Sequence, residues 1–117
     1  MDYLFDLPNK QFIFQCLDIL DSNNLINDKT MNILTSDTLC HSKFYCQYPI
    51  LQEVDKYDVV EKELSHDATG NRRYYPNKFI IKGRAYIVTN DWYYRNKSNR
   101  DNRTPFVKWM KDIIANN

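Results

Sequence analysis

Residues 78–89 decide the fold, and they read Lys78-Phe79-Ile80-Ile81-Lys82-Gly83-Arg84-Ala85-Tyr86-Ile87-Val88-Thr89. Two β-prone runs, 78–81 and 84–89, flank the pair Lys82-Gly83. Glycine supplies the positive φ that a tight hairpin turn demands. Because side chains alternate along a strand, Tyr86 and Val88 would share one face of the second strand. This stretch therefore predicts a β-hairpin.

Helical patterns precede the hairpin. The strongest covers residues 10–21, where Asn9 is the expected N-cap and apolar residues recur at helical spacing. Shorter helices are expected from Asn27 or Asp28 to residue 34 and, capped by Ser36, over residues 37–44. Pro49 suits the first turn of a further short helical segment over residues 49–54. Residues 55–71 then form an exposed connection, with the clearest loop at 65–71.

A polar loop over residues 95–103 follows the hairpin, and a closing helix follows the loop. Thr104 is the expected cap of this helix, with Pro105 at its first position. The expected core draws on both halves of the chain and includes Leu17, Leu20, Ile81, Trp109 and Ile113. Residues 1–117 thus form a single α+β domain of N-terminal helices, a β-hairpin and a C-terminal helix. This order resembles a winged-helix arrangement, in which a helix–turn–helix is followed by a β-hairpin wing.

Length and composition bound the class of protein. A chain of 117 residues fits one domain, and 43% hydrophobic residues suffice for a core. No segment approaches the roughly 20 apolar residues of a membrane helix, and the N-terminus does not resemble a secretory signal. We therefore expect a cytoplasmic protein with no membrane partner. The abundance of Asn, Lys, Ile and Tyr is typical of low-GC bacterial or phage genes.

Charge is divided by position. Residues 1–70 carry five Lys/Arg and twelve Asp/Glu, a net charge of −7, whereas residues 71–117 carry eleven and three, a net charge of +8. The basic half interleaves its cations with Tyr74, Tyr75, Tyr86 and the run 92–94. Nucleic-acid surfaces use this mixture, because cations neutralise phosphate and flat rings stack on bases. The candidate contact residues are Arg72, Arg73, Lys82, Arg84, Arg95, Lys97, Arg100 and Arg103.

Three other uses of this basic segment stay open at this stage. It could meet an acidic protein surface, pair with the chain's own acidic half, or form an ordinary solvated face. The loop 95–103 is its densest part and leads into a helix N-terminus, where free N–H groups favour an anion. A phosphate held by Arg100, Arg103 and the Thr104 end of the helix is physically reasonable there. The alternative is a mobile polar loop in which Asp101 neutralises one neighbouring cation.

The sequence gives little support for catalysis or for metal binding. Cys16, Cys40 and Cys46 make an odd count without CxxC spacing, so reduced, buried thiols are expected. The pair His66-Asp67 and the set Cys40, His41 and Cys46 offer too few ligands for a metal site. A nuclease of the carboxylate–lysine type could use Asp58, Glu61, Lys62 and Glu63, but their segment lacks strand character. We therefore expect no enzyme, cofactor or metal.

The sequence thus predicts a small non-enzymatic binding protein that contacts nucleic acid or a nucleoprotein through its basic aromatic hairpin and loop. Helix 37–44 is a weak candidate for insertion into a DNA groove, since Lys43 is its sole cation. The alternative is a phage-type inhibitor or adaptor that binds a host protein such as a nuclease. The acidic half would then imitate nucleic acid through Asp55, Asp58, Glu61, Glu63 and Asp67.

Overall fold

A computed structural model describes residues 1–95 and 99–117. The described chain is an α+β domain with five α-helices and a three-stranded antiparallel sheet. A short 3₁₀ helix, Asp2–Asp6, opens it. The other elements, in chain order, are α1 (Asn9–Ser22), α2 (Asp28–Leu34), α3 (Asp37–Phe44), β1 (Leu51–Val54), α4 (Lys62–Ser65), β2 (Phe79–Ile81), β3 (Arg84–Val88) and α5 (Arg103–Ala115).

The predicted hairpin is confirmed. Strands β2 and β3 pair antiparallel, and Ile81 lies opposite Arg84 across a two-residue turn. Both turn residues have positive φ, 50° at Lys82 and 80° at Gly83. This is the pattern of a type I′ turn, whose twist matches that of the flanking strands. The glycine thus acts as the sequence predicted, while Lys82 takes a left-handed conformation unusual for its type.

The helix predicted over residues 49–54 is wrong. Strand β1 occupies Leu51–Val54 and pairs antiparallel with β3, with Leu51 opposite Val88 and Val54 opposite Ala85. The sheet order is β1-β3-β2, so β3 is central. The physical reason is long-range, because β3 offers a second edge of backbone hydrogen-bonding groups that a short segment can satisfy by pairing. So short a run carries no periodicity that separates strand from helix.

The three helices predicted before residue 45 form, and their start signals hold in part. Asn27 Oδ1 accepts from the Thr30 N–H at 2.9 Å, and Ser36 Oγ accepts from the Leu39 N–H at 3.1 Å, as caps. The expected cap at Asn9 is wrong, because α1 begins at that residue and its side chain serves another partner.

The expected start of the closing helix is also wrong. Helix α5 begins at Arg103, one residue before the predicted cap Thr104, so Pro105 is its third residue. The Asp101 carboxylate accepts from the Thr104 N–H at 2.9 Å and from the Thr104 hydroxyl at 2.6 Å. A carboxylate at a helix start gains from the helix dipole as well as from the hydrogen bond. Asp101 therefore takes the capping role expected of Thr104.

The connection over residues 55–71 is less open than predicted. Most of it is exposed, but it contains α4, and Ser65 at the end of that helix is buried. The Arg73 and Tyr74 N–H groups both donate to the Ser65 carbonyl, at 2.8 and 3.2 Å. Backbone contacts of this kind tie the connection to the chain that leads into the hairpin.

Aromatic rings fill the centre of the core. Leu17, Leu20 and Ile81 are buried as predicted, whereas Trp109 and Ile113 are half-buried at its edge. Four buried rings contact one another edge to face, those of Phe12, Phe44, Trp92 and Phe106. Three of the pairs have ring centroids 5.2 to 5.4 Å apart, and the fourth pair, Phe12–Phe106, has them 6.4 Å apart. None of these four rings is among the five residues expected in the core from the sequence.

Arg103 lies inside the protein, with 5% of its surface exposed. One of its terminal nitrogens, Nη1, donates to the Leu7 carbonyl at 2.7 Å and to the carbonyls of Leu4 and Phe5 at 3.3 and 3.2 Å. The other, Nη2, donates to Asn9 Oδ1 at 2.6 Å, and the guanidinium carbon lies 4.4 Å from the Phe12 ring centroid. Burial lowers the pKa of this guanidinium. Arg103 therefore binds the N-terminal segment to α5.

Replacing Arg103 should destabilise the fold strongly. A lysine has one ammonium in place of the planar fork, and Arg103→Lys would leave several buried acceptors without donors. We expect a loss of roughly 3 kcal/mol or more in the free energy of unfolding, measured by urea denaturation. Lys108→Ala is the matched control, because Lys108 is exposed on the same helix. An Arg103→Lys variant as stable as this control would contradict the structural role.

Candidate nucleic-acid interface

The eight candidate cations do not form one patch. Lys97 lies outside the described residues, and the expected exposed phosphate contact at Arg103 is wrong because that side chain is buried. Arg84 begins β3 beside Lys82 of the hairpin turn, whereas Arg72 and Arg73 lie beside the far end of that strand, where Asn90 bonds to both. The basic half is therefore divided between two regions and the interior.

Asp91 organises the group at the far end of β3. This buried carboxylate accepts from the Gln47 N–H at 2.8 Å through Oδ2. Its other oxygen, Oδ1, lies 4.0 Å from Arg100 Nη2 and accepts no hydrogen bond within the described residues. The pKa of Arg73 is raised, first by its hydrogen bond to Asp67 and further by the nearby Tyr48 and Asp91. Asp91 thus lies beside Arg100, whereas Arg73 is paired with Asp67.

Each of these two arginines lies over a tyrosine. The Arg100 guanidinium carbon is 3.9 Å from the Tyr93 ring centroid, and that of Arg73 is 5.6 Å from the Tyr48 centroid. Cation–π attraction favours both arrangements. Tyr45, which is 66% exposed, lines a shallow pocket together with Tyr93 and Arg100. We call these five residues, Arg73, Arg100, Tyr45, Tyr48 and Tyr93, the arginine–tyrosine surface.

Buried polar groups hold this surface in place. Asn102, at the start of α5, accepts from the Tyr93 N–H at 2.7 Å and donates to the Asp91 carbonyl. On the other side, the Arg73 carbonyl accepts from the Asn90 N–H at 3.0 Å and from the Thr89 hydroxyl at 3.2 Å. Both arginines are therefore positioned by the backbone that leaves β3.

Asp67 fixes the Arg73 side chain. Its carboxylate contacts Arg73 Nε at 2.9 Å and Nη2 at 2.8 Å. It also accepts from the Thr69 hydroxyl and from the N–H groups of Thr69 and Asn71. The Thr69 hydroxyl, the Asn71 backbone N–H and the Arg73 side chain hold the pKa of Asp67 well below its usual range. Asp67 of the His66-Asp67 pair therefore organises its own loop. Its neighbour His66 forms a hydrogen bond between Nδ1 and Ser65 Oγ at 2.7 Å.

The remaining candidates occupy other positions. Lys82 is exposed, and Arg84 forms a loose ion pair with Glu53 at 3.6 Å. Arg72 donates to the Tyr74 carbonyl at 3.3 Å. Arg95 lies 5.1 Å from the centroid of Tyr94, whose ring stacks on that of Phe5. None of these four joins the arginine–tyrosine surface through a contact within the described residues.

Sequence reasoning missed three members of the site. Tyr45 and Tyr48 belong to the acidic half, so no local pattern connects them with Arg73 or Arg100. In the sequence Asp91 is a polar residue of the loop after β3, and its burial results only from tertiary packing. The one local signal was the cluster of aromatic residues at 44–48, which stands apart from the predicted helix faces.

The described part of the chain contains side chains that could bind a metal ion or act as a nucleophile. No group of three or more His, Cys, Asp or Glu side chains there is positioned to hold a metal ion. The three cysteines are free and buried, and burial raises the pKa of Cys16 to about 12 and that of Cys40 to about 11. Such thiols stay protonated at neutral pH, when a nucleophile or metal ligand would need the thiolate.

Comparison of the chain with protein-family models, with curated proteins and with solved structures finds no match. Within residues 1–95 and 99–117, no helix is long and apolar enough to cross a membrane.

Replacing Asp67 should weaken the fold in a pH-dependent way. Because the pKa of Asp67 is depressed in the folded state, its contribution is present above the unfolded value of about 3.9 and is lost as the pH falls below it. We expect Asp67→Asn to lower the thermal midpoint most at neutral pH. The difference from the parent should shrink as the solution is acidified below about pH 4.

Asp18→Asn is the matched control, since Asp18 is exposed on α1. It should change the midpoint little at any pH. A gap between parent and Asp67→Asn that widened on acidification would contradict the assigned role of Asp67.

Proposed function

We propose that the protein is a non-enzymatic binding protein that contacts single-stranded nucleic acid through the arginine–tyrosine surface. The observation that carries the proposal is a pair of arginines that each lie over a tyrosine ring, Arg100 beside the buried Asp91 and Arg73 paired with Asp67. Guanidinium planes and tyrosine rings both stack on unpaired bases, and guanidinium N–H groups bind phosphate.

The placement of the rings supports a single strand. Tyr45 and Tyr93 line one shallow pocket with Arg100, which leaves aromatic surface open to an incoming base. Tyr45 ends α3 with a φ of 61°, so the left-handed cap turns a large, exposed ring outward at a fixed position. Stacking on such a ring contributes about 1–3 kcal/mol per base.

A winged-helix-like use of the fold would instead place α3 in a duplex groove, with the β2–β3 hairpin beside it. The described helix gives this mode less support. Asp37 is its first residue, and Lys43 is its one cation. Duplex readout draws on arginine, lysine, asparagine and glutamine donors along the inserted helix, which α3 largely lacks. We therefore favour a single strand over a duplex as the ligand.

Imitation of nucleic acid by the acidic half also has less support. Two of the five acids proposed for it serve the chain itself. Asp55 Oδ1 accepts from the Tyr57 and Asp58 N–H groups, and Asp67 binds Arg73 and its own loop. Asp58, Glu61 and Glu63 remain as exposed acids. Inhibition of a host nuclease by this half is therefore the second candidate, and the binding test below separates the two.

The test is fluorescence anisotropy with a labelled oligothymidine of about 12 nucleotides, long enough to span one binding surface. Tyr45→Asn removes the ring but suits the left-handed backbone, so the fold should persist. We expect affinity to fall by about 5- to 150-fold, the equivalent of one lost stack. Arg100→Ala should lower the magnitude of the salt slope by about 0.7 if it loses one phosphate contact.

Lys111→Ala on α5 is the control, because Lys111 is an exposed cation outside the surface. The proposal is wrong if the parent protein does not bind oligothymidine, or if Tyr45→Asn and Arg100→Ala bind it as the control does. If reversing Asp58, Glu61 and Glu63 instead abolished inhibition of a nuclease, the acidic half would be the functional surface.

A further inference from the structure

The connection between β1 and β2 contains a pocket of about 500 Å³, a size typical of ligand sites in proteins. Four apolar residues line it: Tyr57, Val59, Val60 and Pro76. Tyr57 is 87% and Val59 92% exposed, so no other part of the described chain covers these two side chains. Exposed apolar residues that gather at one concave site are typical of a binding surface.

Cations give this pocket its charge. Three of them line it: Lys62, Arg72 and Lys78. Asp58 is the one acid among the lining residues, since the neighbouring Glu61 and Glu63 do not line the pocket. Within residues 1–95 and 99–117, none of the three cations forms an ion pair. We call these apolar and basic residues together the connection pocket, and its positive charge favours an anionic ligand.

Hydrogen bonds hold the walls of the connection pocket in place. Asp55 Oδ1 accepts from two backbone N–H groups of the turn that follows it, at 2.8 and 2.9 Å. Lys78 Nζ donates to the Asp55 carbonyl at 2.7 Å and to that of Asp58. Elsewhere in the wall, His66 and Arg72 form an antiparallel bridge. Because the pocket is held in this way before any ligand arrives, little ordering of the chain opposes binding.

The apolar lining favours a protein segment over a nucleic acid. Bases stack on flat rings, whereas Val59, Val60 and Pro76 offer aliphatic surface that suits an apolar side chain. The one aromatic ring, that of Tyr57, already has Lys56 Nζ over it, 5.8 Å from its centroid. The cations then favour acidic residues beside that apolar side chain, because interfaces join opposite charges.

We propose that the connection pocket docks an acidic segment of a partner protein. One apolar side chain of the segment contacts the apolar lining, and carboxylates beside it bind Lys62, Arg72 and Lys78. This inference is independent of nucleic-acid binding, since no residue of the connection pocket belongs to the arginine–tyrosine surface.

The first test is a titration of the nitrogen-15-labelled parent, followed by amide NMR. The probe is a short peptide in which one phenylalanine is flanked by aspartates. Amide signals of residues 57–62, 72 and 78 should shift, and those of Tyr45 and Tyr93 should not. Peptides in which serine replaces the phenylalanine, or lysines replace the aspartates, should bind about tenfold more weakly or worse.

Two variants then separate the charge of the pocket from its apolar surface. Lys62→Glu with Arg72→Glu should lower affinity for the acidic peptide about tenfold or more, since attractions become repulsions. Tyr57→Ser with Val59→Ser keeps every charge and should lower the affinity by a similar factor, because apolar contact is lost. Circular dichroism establishes that each variant is folded.

Lys29→Glu with Lys108→Glu is the matched control, because it reverses two exposed cations outside the pocket and should change the affinity little. The proposal is overturned if the parent does not bind the peptide, if the peptide instead shifts Tyr45 and Tyr93, or if either folded pocket variant binds as the control does. Oligothymidine that shifted residues 57–62 would assign the pocket to nucleic acid. A parent dimer in sedimentation equilibrium that the serine variant loses would assign it to a second copy, and either result also overturns the proposal.

Discussion

The burial of the Arg103 guanidinium is the constraint on which the rest of the structure depends. Removing a charge from water is costly, and here several oxygens from residues 4–9 offset the cost. Because those acceptors stand more than 90 residues away in sequence, Arg103 fixes the N-terminal segment against α5. Asn102, its neighbour, then fixes Tyr93 and the backbone of Asp91. The same helix start therefore closes the core and builds the candidate interface.

The charge asymmetry of the sequence has two physical uses in this fold. Part of it is internal, since Arg103 serves the backbone and Arg73 is paired with Asp67. The remainder lies in two separate regions, one at Asp91 and one at the hairpin turn. Each exposed arginine of the first region has its own acid, Asp91 for Arg100 and Asp67 for Arg73. A net charge of +8 over residues 71–117 is thus not a measure of the charge available to a ligand.

Local signals made the hairpin, two helix caps and the buried thiols predictable from sequence. Gly83 requires no knowledge of the rest of the chain to favour a turn, and Ser36 caps its helix through a neighbour three residues on. Strand β1 and the burial of Arg103 depend on partners far along the chain, which no local pattern encodes. Tyr45 and Tyr48 reach the site for the same reason. The loop arginines could be identified as a group, but not sorted into structural and exposed members.

Nitrogen-15 NMR of the arginine side chains, with and without oligothymidine, tests this division most directly. We expect that, of the six arginines, Arg103 has slowly exchanging guanidinium protons and does not shift when the oligonucleotide is added. Arg73 and Arg100 should shift together. Rapid exchange at Arg103, or a shift at Arg103 with none at Arg73 and Arg100, would contradict the claim that the fold keeps Arg103 inside and presents Arg73 and Arg100 to a ligand.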